Sequence, residues 1–67
     1  MKEPRVREII KIYEKGNIIK VQEYFNQPDM IVDPSTWAGR LKDHIDKEQF
    51  FTAKAQIETI AYKFIKI

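Results

Sequence analysis

The sequence predicts an all-α fold, a compact domain of four helices. Three observations carry this expectation. Apolar residues recur at helical spacing in four separate stretches. Helix punctuation falls between those stretches, at Gly16-Asn17, Pro28 and Asp33-Pro34. The segment Ile45-Asp46-Lys47-Glu48-Gln49-Phe50 reads as a double start signal. Asp46 as N-cap and Gln49 at N3 form a capping box, and Ile45 and Phe50 form the hydrophobic staple around it.

Helix 1 is expected over residues 4–15. Pro4 suits its first turn, and Val6, Ile9, Ile10 and Tyr13 make its apolar stripe. Gly16 is a left-handed C′ residue in this reading, and Asn17 caps helix 2 over 18–26. Ile18, Val21, Tyr24 and Phe25 form the second stripe, and Pro28 stops it. The loop around Met30-Ile31-Val32 either folds back over the core or forms a short extended segment. Asp33 as N-cap and Pro34 at N1 open helix 3 over 34–45, with Trp37, Leu41 and Ile45 facing inward and His44 beside them.

Helix 4 is expected over 47–66. Phe50, Ala53, Ile57, Ile60, Phe64 and Ile67 alternate spacings of three and four, as in a coiled-coil seam. Phe51, Ala55, Tyr62 and Ile65 form a second apolar set beside it. Lys54 and Glu58 lie between the sets at i,i+4. A two-stranded wing over 50–67 is the alternative, because Phe51, Ala53, Ala55 and Ile57 also alternate with polar residues. Glu58-Thr59 is a poor hairpin turn, and the alanines favour helix.

Sixty-seven residues make one domain, spanning 1–67, and a chain this short buries only a modest share of its surface. At 43% hydrophobic and 33% charged residues the composition is globular. Without cysteine there is neither a disulfide framework nor a zinc-finger spacing. The charged N-terminus does not read as a signal peptide, and no apolar run approaches a membrane span, so a cytoplasmic location without membrane attachment is expected. Net charge is +2, distributed as +3 over residues 1–20, −3 over 21–49 and +2 over 50–67.

Catalytic constellations are scarce. One histidine, His44, and two isolated glycines offer neither a nucleophile pair nor a phosphate loop. No enzymatic activity, cofactor, metal site or small-molecule substrate is expected. The acidic run around His44 lacks metal-ligand spacing, and Asp46 is better read as a cap.

The segment Asp33-Pro34-Ser35-Thr36-Trp37-Ala38-Gly39-Arg40-Leu41-Lys42 resembles the recognition helix of helix-turn-helix DNA-binding domains, a resemblance that covers residues 17–45. It implies that Ser35 and Thr36 donate to phosphate and that Gly39 admits close approach. Arg40 and Lys42 would then reach bases or backbone. Arg7, Lys11 and Lys15 on helix 1 would touch flanking phosphates. Phe51, Ala55, Tyr62 and Ile65 would join two copies, as paired recognition helices require. The leading expectation is therefore a dimeric DNA-binding regulator. The rival is a protein–protein interaction module, a small adaptor or inhibitor that binds a larger target through helix 4.

Overall fold

The computed structural model describes residues 3–65, with side chains through Phe64. Four helices follow in order: α1 (Val6–Lys15), α2 (Ile18–Phe25), α3 (Trp37–Asp46) and α4 (Phe50–Ile65). There are no strands among the described residues, so the all-α architecture stands and the wing does not form. The reason lies in α4. Its seam residues Ala53, Ile57 and Ile60 are buried, at 0, 1 and 9% exposure, and only a helix brings them to one face.

That seam is the keel of the core. α4 packs against α1 and α3, while α2 closes the remaining side against α1 and α3. Ile9 and Ile10 from α1, Ile18, Val21, Tyr24 and Phe25 from α2, and Ala38, Leu41 and Ile45 from α3 complete the core. Each fully buried aliphatic side chain contributes about 1.5–3 kcal/mol through its removal from water. Phe64, expected on the seam, lies 59% exposed, and Ile67 lies outside the described residues.

The boundaries of α1 and the start of α3 differ from expectation. α1 begins at Val6, so Pro4 lies outside it, and Arg5 is an N-cap without a side-chain bond. Gly16 is not left-handed: at φ −144° it is the C-cap, its N–H donating to Tyr13 O at 3.3 Å. The chain enters α2 directly, where Asn17 caps as expected, its Oδ1 accepting from Ile19 N at 2.9 Å. α3 begins three residues later than expected, with Thr36 as N-cap in place of Asp33. Asp33 instead closes a turn: its Oδ1 accepts from Ser35 N (2.9 Å) and Ser35 Oγ (2.8 Å), and its carbonyl accepts from Thr36 N (3.1 Å). The two bonds from Ser35, backbone N–H and then hydroxyl, hold the Asp33 carboxyl below its ordinary pKa. A short polar side chain bonding two residues ahead competes with helix, and here the turn wins.

The capping box at Asp46 does not form. α3 runs through Asp46, whose carboxylate pairs with Lys42 one turn back. Gln49 N donates to His44 O at 2.8 Å and Glu48 N donates to Ile45 O at 3.0 Å. Together these bonds make a Schellman motif, which requires a left-handed residue at Glu48. Glu48 has φ 58°, the one positive-φ non-glycine among the described residues. Gln49 thus ends one helix and precedes the next, its carbonyl accepting from Ala53 N at 3.0 Å. Its side chain meets His44 Nδ1 at 2.9 Å, where such motifs usually carry an apolar contact. With α4 starting at Phe50, the staple of Ile45 and Phe50 is also absent; Ile45 is core.

In the α2–α3 connection, Met30 and Val32 pack on the core and Ile31 points out at 39% exposure, so the loop folds back as one of the two readings held. Tyr24 is buried with its hydroxyl unpartnered. Burial, with Glu8 nearby, pushes its pKa up to about 12.

Because a side chain at φ 58° is strained, Glu48→Gly should stabilise the fold by about 1 kcal/mol. In a domain this small that raises the melting midpoint by roughly 4–8 °C. A thermal melt showing no gain would mean that the Glu48 side chain offsets its own backbone strain.

Candidate interaction surface

α4 has two faces with different fates. The seam is consumed by the core. The opposite face carries Phe51, Ala55 and Tyr62, which lie within about 40° of one another at 100° per residue. Phe51 is 87% exposed and Tyr62 70%, and Ala55 between them is exposed. Scattered apolar residues are ordinary on a protein surface; here two highly exposed aromatics share one outward helix face, with Ala55 between them. The Ile65 side chain, expected in the same set, lies outside the described residues.

Two depressions flank Tyr62. One is a groove between α1 and α4 of about 200 Å³, lined by Ile10, Tyr13, Glu14, Ile57, Glu58, Ala61 and Tyr62. The other, along α4, is shallower and is lined by Ala55, Glu58, Thr59, Tyr62 and Lys63. Tyr13 Oη donates to Glu58 Oε1 at 3.3 Å across the groove. Burial, then the Glu58 charge and hydrogen bond, raise the Tyr13 pKa. The ion pairs among the described residues are Lys20–Glu23, Lys42–Asp46 and Lys47–Asp43. Lys54 and Glu58, although spaced for an i,i+4 pair, are therefore not joined within the chain.

The residues singled out around α3 fall into three groups. Ser35 and Thr36 are exposed, but their side chains serve the local turn. Ser35 Oγ donates to Asp33, while Thr36 Oγ1 donates to Asp33 O at 2.7 Å and accepts from Gly39 N at 3.2 Å. Gly39, expected on the open face, is buried. A Cβ there would overlap the Asp33 carbonyl and lie 2.6 Å from Pro34 Cα, so the close approach it admits is by the chain's own Asp33-Pro34 turn. Arg40 is exposed, with Nη1 at 3.5 Å from Ser35 O, and Lys42 is half-buried in its pair with Asp46. A wide, open depression of about 470 Å³ runs along this side, with Val32, Pro34, Arg40, Lys42, Asp43 and His44 among its walls. α2 and α3 are separated by the eleven residues 26–36, against a turn of about 3–4 residues in the helix-turn-helix motif.

Arg7, Lys11 and Lys15 stand exposed along α1 at i, i+4 and i+8, one cationic row as expected. Of the groove residues, Ile10 and Tyr13 read from sequence as part of the α1 core stripe, and Ala61 carries no sequence signal. Gln56 donates to Trp37 O at 2.9 Å and ties α4 to the start of α3. A polar residue that adds a second bond to a carbonyl in the first turn of another helix has no distinguishing sequence signal. Among the described residues, no three His, Asp or Glu side chains converge as a metal set, and no helix is long and apolar enough to cross a membrane.

No family model, curated protein or solved structure matches this chain.

Gly39→Ala separates helix propensity from packing. Propensity alone would stabilise α3 by about 1 kcal/mol. Overlap with the Asp33-Pro34 backbone should reverse the sign and cost about 1–3 kcal/mol in urea denaturation. A stabilised variant would show that the turn yields freely.

Proposed function

We propose that this chain is a non-enzymatic protein-interaction module whose contact surface is the outward face of α4. The observation that carries the reading is the exposure of Phe51 and Tyr62 on the face opposite the buried seam. Aromatic side chains supply large apolar area with few rotatable bonds and are enriched at interface centres. The fold does not use these two rings, so their burial remains available to a partner. The adjoining α1–α4 groove adds a concave element beside the convex rings. With no cysteine in the chain, the reading fits a cytoplasmic module that needs no disulfide.

A second reading is favoured by a separate observation. The exposed row Arg7, Lys11 and Lys15, together with exposed Arg40, suits a small DNA-binding regulator that holds phosphate through α1 and α3. Against it stand the acidic middle of the chain, the α3 hydroxyls already engaged in the turn and the covered Gly39.

Photo-crosslinking in the native host tests the first reading. Benzoyl-phenylalanine replacing Phe51 or Tyr62 should give discrete protein adducts, and the same probe replacing Lys11 or Arg40 should not. Absence of adducts at both α4 positions would overturn the module reading. For the DNA reading, binding to random duplex should weaken steeply with salt, and Arg7→Ala, Lys11→Ala or Lys15→Ala should each flatten that slope by about one. No association at low salt would remove it.

A further inference from the structure

We propose that the occupant of the α4 face is a second copy of this chain, docked antiparallel across a two-fold axis. The inference rests on the module reading and names its partner. Its ground is that the face is self-complementary in shape and in charge. Along α4 the outward residues run Phe51, Lys54, Ala55, Glu58, Tyr62: aromatic, cation, small, anion, aromatic. A two-fold axis between Gln56 and Ile57 exchanges the two aromatics and sets the cation of one copy toward the anion of the other.

With Phe51 opposite Tyr62 of the partner subunit, Lys54 falls within one residue of Glu58 of the partner subunit, and the reciprocal pair forms at the other end. Ala55 lies close to the crossing, where a small side chain lets two helices approach. A parallel arrangement would instead set Lys54 on Lys54 and Glu58 on Glu58. The two charges are free to pair in this way because neither is paired with the other within the chain; Glu58 accepts from Tyr13 instead.

Shape follows the same symmetry. Tyr62 borders the α1–α4 groove, whose apolar walls include Ile10, Ile57 and Ala61. Lys54, Glu58 and Ala61 lie on the α1 side of α4 in helical projection. Antiparallel face-to-face pairing puts α1 of both copies on the same side of the crossing. Each Phe51 ring, 87% exposed in one chain, therefore arrives beside the other chain's groove. Knob and hole occupy one surface and are exchanged by the two-fold, the defining property of an isologous interface.

The contact is modest. Phe51 and Tyr62 are eleven residues apart, or about 16 Å along the helix. An interface of that length and one helix wide belongs at the small end of specific contacts, below about 1,200 Å² in total. Association in the micromolar range or weaker is expected.

Sedimentation equilibrium from low micromolar to near-millimolar concentration should show the wild type passing from one chain mass to two. Lys54→Glu and Glu58→Lys each place like charges on both sides of the axis and should weaken self-association roughly tenfold. Both positions are exposed, so the variants keep the fold, checked by circular dichroism. An equimolar mixture of the two variants restores both ion pairs and should recover wild-type affinity. The double variant Lys54→Glu/Glu58→Lys should recover it alone. A wild type that stays at one chain mass throughout would overturn the proposal, as would a mixture no tighter than either variant. The photo-crosslinks separate this failure from that of the module reading. Adducts at residues 51 and 62 of twice the chain mass support self-docking. Adducts of other masses only, with a monomeric wild type, retain the module and reject the second copy. No adducts reject both.

Discussion

The contact of Ala53, Ile57 and Ile60 with α1 and α3 is the constraint on which the rest of this small structure depends. A chain of 67 residues has material for one core, and one seam of one long helix fills it. Ala53, fully buried, is the smallest side chain of that seam. Once that seam is committed, the helix period decides the fate of every other α4 residue. Phe51, Ala55 and Tyr62 have no route to the core. Gln56, turned toward the start of α3, finds the Trp37 carbonyl.

The four helices and most of the core were legible in the sequence because apolar period is a property of whole segments. Val21, Leu41, Ile45 and Ile57 are buried where their spacing puts them. The junctions were less legible, because several local arrangements compete there with nearly equal energy. Asp33 and Asp46 are both good caps by residue type. Asp33 closes a turn, and Asp46 finds Lys42 one turn back along α3. The α3–α4 junction needed one left-handed residue, a role that sequence assigns to glycine or asparagine. Glu48 fills it between two helices that are anchored in the core by buried Ile45 on one side and buried Ala53 on the other. Tertiary packing overrides local preference at that point, and no single-residue rule exposes it.

The α3 segment shows the same limit for function. Pro-Ser-Thr before a buried apolar residue is a pattern that both a recognition helix and an ordinary helix start would produce. Here Asp33, Ser35 and Thr36 form a closed network, and Thr36 Oγ1 hands the chain into α3 by accepting from Gly39. Each hydroxyl that supports its own backbone is less available to a phosphate. The glycine, read as an opening for a ligand, is where the chain's own Asp33-Pro34 turn lies against its helix. The cationic row on α1 keeps none of this ambiguity, since Arg7, Lys11 and Lys15 remain exposed, but a solvated row of charge is also the usual outer face of a surface helix.

The outward face of α4 differs from both cases because local chemistry offers no account of it. Phenylalanine and tyrosine are weaker helix formers than the alanine or lysine that would serve on a solvated face. In the isolated chain, Phe51 at 87% exposure gains almost nothing from the hydrophobic effect. Its presence there lowers helix propensity and solubility without a compensating contact. The seam beneath is already complete, so the fold would be served as well by polar residues at these positions. That surplus exposure is the ground for proposing that the rings serve a second body. The order of charges around them then narrows what that body is. In the proposed antiparallel pairing, Lys54 and Glu58, placed about the midpoint of Phe51 and Tyr62, each face the opposite charge across the two-fold axis.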